Sequence, residues 1–123
     1  MEINDLTHEI LDSAFKVQTA LGPGLLESAY QVCLCYELKK KGFNVESEKP
    51  QPLVYEEVKL DCGYRIDLLV ENRVIVELKT VDQFTDVHQA QILTYMKLSR
   101  IRHGLLINFN VKSLKNGIKR FVL

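Results

Sequence analysis

The chain of 123 residues contains 16 Lys and Arg, 16 Asp and Glu, and 46% hydrophobic residues, a composition typical of globular proteins. A chain of this size buries about two-thirds of its surface on folding, which suffices for one hydrophobic core but not for two. We therefore expect one domain over residues 1–123, and the spread of apolar residues along the chain excludes intrinsic disorder. No apolar run approaches the ~18 residues that span a bilayer, and residues 1–5 lack the features of a signal peptide. We expect a cytoplasmic protein without a membrane partner.

The net charge of zero conceals a division of charge along the chain. Residues 87–123 contain seven Lys and Arg and no acidic residue, whereas residues 1–86 contain nine basic and sixteen acidic residues. A basic third joined to an acidic remainder favours a polyanionic partner such as nucleic acid. The alternative is that folding interleaves the two parts and leaves no basic surface.

The hydrophobic pattern predicts helices and strands in a mixed order. In chain order they are a helix over residues 3–21, a second helix from about 26 to 42, an extended region over 43–60 interrupted by Pro50 and Pro52, strands over 64–70 and 74–79, a helix over 86–100, a strand over 104–109, a loop over 110–117 and a strand over 118–122. This order predicts an α/β fold, a mixed β-sheet flanked by α-helices.

The most informative segment is the predicted hairpin over residues 64–79, whose apolar strands carry charged residues. Strands this apolar are normally covered on both faces, where a charge is costly unless it is paired, hydrogen-bonded or bound to metal. A three-residue loop would place Asp67 directly opposite Glu77, with their Cβ atoms about 5 Å apart. Glu77 and Lys79 are two residues apart and therefore share a face of the sheet.

Adjacent carboxylates repel each other, and either a raised pKa or a divalent cation relieves the repulsion. An all-oxygen site suits Mg²⁺ or Mn²⁺, and Lys79 beside it could hold an attacking water or stabilise charge on a phosphate. A partly buried ion pair without any chemistry explains the same pattern.

Asp67 followed by Glu77-Leu78-Lys79 resembles the PD-(D/E)xK nuclease superfamily, and other segments resemble its GxxExxY family. Residues 24–30 spell the motif that names that family, residues 88–95 are similar to its helical motif, residues 105–109 to the following strand, and Lys119-Arg120 to its basic pair. Asn110 departs from the pattern, which has Gly at that turn. The resemblance covers about residues 10–121 and implies a restriction-endonuclease-like core.

The resemblance also implies roles for the hairpin residues. Asp67, Glu77 and the carbonyl of Leu78 would bind Mg²⁺ or Mn²⁺, and Lys79 would position or activate the hydrolytic water. Glu27, in the first turn of the second helix, matches an acidic residue that joins the metal site in many members. Its alternative role is stabilisation of that helix N-terminus.

Gln91 is a further candidate for the catalytic group, and three other residues are candidates for supporting roles. Gln91 could orient Lys79 or the water, and Tyr95 lies one turn further along the same helix. We expect Tyr95 to be packed with its hydroxyl directed to the site, and Tyr30 to be part of the core. His88 is expected at a helix end or on the surface, with an approach to phosphate as the alternative.

The basic C-terminal third supplies the candidates for phosphate contacts, which position a nucleic acid without reading its sequence. They are Arg100, Arg102, Lys112, Lys115, Lys119 and Arg120. The leading hypothesis is a Mg²⁺-dependent nuclease acting on DNA, or alternatively RNA, and a homodimer would allow both strands to be cut. The competing hypothesis is a non-catalytic module that binds nucleic acid or protein and retains the carboxylate–lysine cluster as a structural network.

Overall fold

A five-stranded mixed sheet with helices on both faces organises the chain, as the sequence predicts. The computed structural model describes residues 1–123. Its elements are α1 (Ile3–Leu21), α2 (Glu27–Lys40), β1 (Val45–Pro50), β2 (Leu53–Tyr55), β3 (Val58–Leu60), β4 (Arg65–Val70), β5 (Val74–Lys79), α3 (Asp86–Ser99), β6 (His103–Asn108), a 3₁₀ helix (Leu114–Gly117) and β7 (Ile118–Val122). The large sheet has the strand order β1-β4-β5-β6-β7, and only β5 and β6 run parallel.

The two faces of the sheet carry separate apolar clusters. Helices α1 and α2 cover one face, where Leu34 of α2 packs in a cluster with Val76 and Leu105. Helix α3 covers the other, where Ile92 packs in a cluster with Ile75 and Leu106. Successive residues of β5 and β6 therefore point to opposite helical layers, which accounts for the continuous apolar sequence of both strands. None of the helices combines the length and apolar character needed to cross a membrane.

The predicted extended region over residues 43–60 is divided in the structure. Strand β1 joins the large sheet, whereas β2 and β3 form a separate two-stranded hairpin that turns at Glu56, where φ is 51°. The turn consists of Glu56 and Glu57 and lacks the Gly or Asn that usually marks a two-residue turn. The alternating pattern therefore could not separate one strand from the two arms of a hairpin. The predicted loop over 110–117 also contains the short 3₁₀ helix.

Candidate active site

The β4–β5 hairpin has the predicted register as far as Leu68 and Val76. Val70 pairs with Val74, Leu69 with Ile75 and Leu68 with Val76, so Asp67 comes next on β4 opposite Glu77 on β5. The backbone pairing ends at this position. The two carboxylates therefore lie where the strands separate.

Both side chains enter the gap and replace the missing backbone hydrogen bonds. The Asp67 N–H donates to Glu77 Oε2 at 2.7 Å, and the Leu78 N–H donates to Asp67 Oδ2 at 2.9 Å. The other carboxylate oxygens, Asp67 Oδ1 and Glu77 Oε1, make no hydrogen bond within the protein and are not sealed from solvent. One oxygen of each carboxylate thus fixes the side chain, and the other remains available to a ligand.

The backbone of β4 is distorted at Asp67. Ile66 and Leu69 both belong to the cluster beneath α3, although strict alternation would place them on opposite faces.

On β5, the Leu78 N–H points towards β4, and the N–H and C=O of one strand residue point to the same neighbouring strand. The Leu78 carbonyl is therefore directed into the gap that holds the two carboxylates.

Burial of these carboxyl groups opposes their ionisation. Burial raises the pKa of Asp67 to about 6, and the charges of Glu27 and Glu48 add to this effect. Burial, followed by the neighbouring charge of Asp67, raises the pKa of Glu77 to about 9. Glu77 is only 3% exposed, so full ionisation of the pair requires a compensating positive charge.

The donor set of the gap fits a hard divalent cation. Two carboxylates and one backbone carbonyl provide the oxygen ligands that Mg²⁺ and Mn²⁺ prefer. No third Asp, Glu, His or Cys side chain converges with them at ligand distance. The protein would therefore hold such an ion through Asp67, Glu77 and the Leu78 carbonyl.

A hydrogen-bonded chain connects Lys79 to α3. The Lys79 ammonium donates to Gln91 Oε1 at 3.0 Å, and Gln91 Nε2 donates to the Tyr95 hydroxyl at 3.4 Å. Tyr95 is buried against the cluster beneath α3. The structure thus brings Gln91 to Lys79, where the sequence predicted it, and packs Tyr95 behind Gln91.

Glu27 is the first residue of α2, and the preceding loop holds it near the carboxylates. Burial raises its pKa, as does the charge of Glu48, whereas the charges of Lys79 and His88 lower it. The Tyr30 hydroxyl donates to the Gly22 carbonyl at 2.5 Å and accepts from the Leu25 N–H at 3.2 Å. Tyr30 is fully buried, as expected of a core residue, and it anchors the loop from which Glu27 projects.

Sequence reasoning missed two residues beside the site, Glu48 and Gln31. Glu48 lies on β1 opposite Asp67, with a φ of 55° that interrupts the β1–β4 pairing. The Gln31 amide, 7% exposed, donates to Glu48 Oε1 at 2.7 Å and approaches the Asp67 carbonyl at 3.4 Å. The spacing of Gln31, four residues after Glu27 on the same helix face, was a usable signal. Nothing in the sequence distinguished Glu48 from neighbouring polar strand residues.

The remaining predicted residues are dispersed. His88 lies at the start of α3, where its Nδ1 accepts from the Thr85 N–H at 3.1 Å and its own N–H donates to Thr85 Oγ1 at 3.3 Å. The six predicted phosphate-binding residues do not form one surface. Arg100 and Arg102 precede β6 at the end of the sheet remote from Lys79, Lys112 and Lys115 follow β6 at the near end, and Lys119 and Arg120 lie on the edge strand β7.

Comparisons with known proteins agree with this arrangement. Residues 4–121 match the model of the PD-(D/E)XK nuclease superfamily. Neither a curated protein nor a solved structure matches the chain. Because the family match spans nearly every residue, including both carboxylates and the lysine of the hairpin, the chain belongs to the PD-(D/E)XK nuclease superfamily.

Proposed function

We propose that the chain is a divalent-metal-dependent phosphodiesterase that cleaves DNA, with RNA as the alternative substrate. The observation that supports this most strongly is the gap between β4 and β5. There, two carboxylates each keep one oxygen free beside the Leu78 carbonyl, and the hairpin's lysine is held by Gln91. The superfamily match supports a nucleic acid as the substrate class.

Each side chain has a distinct task in this proposal. Asp67, Glu77 and the Leu78 carbonyl would hold Mg²⁺ or Mn²⁺, and such an ion would supply an activated water and neutralise charge growing on the phosphate. Lys79 orients the attacking water through its ammonium group, and Gln91 restricts the positions that this ammonium can occupy. Glu27 contributes a further carboxylate at the edge of the site.

The finer assignment to the GxxExxY family is also part of the proposal. Gly24 has a φ of 100°, a conformation that glycine adopts without steric cost. Glu27 begins α2, and Tyr30 anchors the intervening loop through two hydrogen bonds. The three residues that name the motif thus have separate roles, in the turn, at the site and as an anchor, which supports the assignment.

A cleavage assay tests the proposal. Purified protein is incubated with plasmid and with single-stranded DNA and RNA in Mg²⁺ or Mn²⁺, beside Asp67→Asn and Lys79→Met. We expect each variant to lose roughly 100-fold or more in rate, since each removes charge stabilisation at the reacting phosphate. The controls are Asp5→Asn and Lys97→Met, which make the same changes at exposed residues outside the site. Equal residual cleavage by wild type and site variants would reject catalysis by this chain.

One observation favours a second candidate, the non-catalytic binding module. Each carboxylate accepts a hydrogen bond from the opposite strand, as a purely structural network would. Calorimetric titration with Mn²⁺ separates the candidates. Heat of binding that disappears in Glu77→Gln supports the enzyme, whereas salt-dependent DNA binding unaffected by metal supports the module.

A further inference from the structure

A pocket of about 210 Å³ at the end of the sheet remote from Lys79 is lined by arginines from two separate loops. Arg73 closes the β4–β5 turn, and Arg100 and Arg102 lie in the connection from α3 to β6. The pairing of Val74 with His103 brings the two loops side by side. Arg73 directly precedes β5 and lies four residues before Glu77, which at about 3.3 Å per residue separates the pocket from the carboxylates by about 13 Å along the strand.

The positive charge of this pocket is not neutralised by acidic side chains. Every ion pair in the protein uses a basic residue between Lys16 and Arg65, and no Asp or Glu lines the pocket. Carbonyl groups orient the guanidinium groups instead: Arg73 donates to the Met1 carbonyl at 2.7 Å, and Arg102 donates to the Leu123 carbonyl at 2.9 Å. Arg100 makes no side-chain hydrogen bond.

The positive charge around the pocket also affects His103, which lies in its wall. Burial lowers its pKa, and the charges of Arg120, Arg102 and Arg73 lower it further. Its Nδ1 is one of only two buried side-chain polar atoms in the protein without a hydrogen-bond partner. Several guanidinium groups without a carboxylate partner around a pocket of this size form an arrangement that recognises a compact anion with several acceptor oxygens.

We propose that Arg73, Arg100 and Arg102 form a second anion site that binds a phosphate group. That phosphate belongs either to a nucleic acid that extends beyond the cleavage position or to a free nucleotide. The nucleic-acid source rests on the proposed function, whereas phosphate binding does not depend on it. Along a duplex, about 13 Å corresponds to about four base pairs at 3.4 Å each, so a nucleic acid must extend at least that far beyond the cleavage position to reach both sites.

The experiment compares wild type with the double variant Arg73→Gln, Arg100→Gln, without divalent cations so that no cleavage occurs. The matched control, Lys39→Gln with Lys59→Gln, removes two exposed positive charges elsewhere. Fluorescence anisotropy measures binding of labelled oligonucleotides of 4 and 16 nucleotides, and calorimetry measures binding of inorganic phosphate and of a mononucleotide. Thermal unfolding checks the fold, and Arg100→Gln alone is the second variant because its side chain makes no hydrogen bond to lose.

The nucleic-acid source predicts that the pocket variants lose at least fivefold in affinity for the 16-nucleotide chain. The slope of log affinity against log salt concentration should also fall by the amount expected for about one to two phosphate contacts. Loss confined to phosphate and the mononucleotide supports the free nucleotide. Equal binding of every probe by the pocket variants and the control overturns the proposal. Binding of inorganic phosphate is measured without divalent cations and requires no catalysis, and the pocket variants retain Asp67, Glu77 and Lys79, so that failure of catalysis and failure of the pocket are separate results.

Discussion

Glu77 is the most deeply buried acidic residue of the site, at 3% exposed, and its hydrogen bond within the protein is to the Asp67 N–H. A buried carboxylate is costly unless charge or hydrogen bonds stabilise it. Without a cation, the folded protein therefore favours the protonated form of Glu77, with its pKa raised to about 9 by burial and by Asp67. The proposed divalent cation would supply the positive charge that ionisation of both carboxyl groups requires.

This burial predicts the pH dependence of stability in metal-free buffer. Because the folded state holds the Glu77 proton more tightly than the unfolded chain, stability from this group is present below about pH 4.5 and is lost as the pH rises towards 9. Each pKa unit corresponds to about 1.4 kcal/mol. Urea unfolding at pH 5, 7 and 9 measures how the free energy of unfolding of wild type and of Glu77→Gln changes with pH. Glu57→Gln, at an exposed residue, is the control. The prediction is wrong if the variant shows the wild-type pH dependence.

A second prediction at the residue scale concerns Gln91, which contacts Lys79 and not the proposed metal ligands. Gln91→Ala should lower the cleavage rate by about 10- to 100-fold, as loss of an orienting partner commonly does. Mn²⁺ affinity, measured by calorimetry, should stay near the wild-type value. Gln89→Ala makes the same change at a side chain of α3 without a hydrogen bond. A loss of metal affinity equal to the loss of rate would contradict a positioning role.

At the scale of elements, the site depends on how β5 and β6 end. Asn108, the last residue of β6, is buried, and its side chain accepts from the N–H groups of Val81 and Asn110 at 3.1 Å and donates to the Val81 carbonyl at 2.7 Å. The segment after Lys79 is therefore attached to the neighbouring parallel strand. This attachment determines where the chain enters α3, and hence where Gln91 meets Lys79.

Asn108→Ala should consequently destabilise the protein by about 2–3 kcal/mol, since three buried hydrogen bonds contribute about 1 kcal/mol each. Urea unfolding provides the measurement. Asn116→Ala, at an exposed side chain without a hydrogen bond, should change the stability by less than about 0.5 kcal/mol. Equal stability of the two variants would show that the Asn108 bridge does not hold this end of the sheet.

At the scale of the whole molecule, neither apolar cluster includes the two carboxylates. The two apolar clusters lie on either side of the sheet, whereas the carboxylates occupy the gap at the end of the β4–β5 pairing. A cation bound there would stabilise the folded state through binding alone. The protein thus differs from small domains whose core is too small to fold without metal.

Metal removal should therefore abolish cleavage and leave the fold intact. Far-ultraviolet circular dichroism should be unchanged by a chelator, and Mg²⁺ at a hundred times its Kd should raise the unfolding free energy by about 2.7 kcal/mol. Asp67→Asn should show no such increase. Loss of helical signal on chelation, or equal stabilisation of the variant by Mg²⁺, would contradict a site of this kind.

Local patterns in the sequence determined the helices, the β4–β5 hairpin and its register. Helical periodicity and strand alternation depend on neighbouring residues. The number of residues in the short turn between β4 and β5 fixes the register of the hairpin, and the register places Asp67 near Glu77. The same local spacing identified Lys79 as a candidate. Glu27 was a candidate through the resemblance to the nuclease family, and Gln91 through its helix position together with that resemblance.

Only the tertiary structure decided which distant residues join them. Glu48 reaches Asp67 through the β1–β4 pairing, across an intervening hairpin that local alternation does not reveal. Arg73 meets Arg100 because parallel pairing aligns Val74 with His103. Such contacts depend on the closure of long connections and on the packing of helices over the sheet, and these are properties of the whole chain rather than of any one segment.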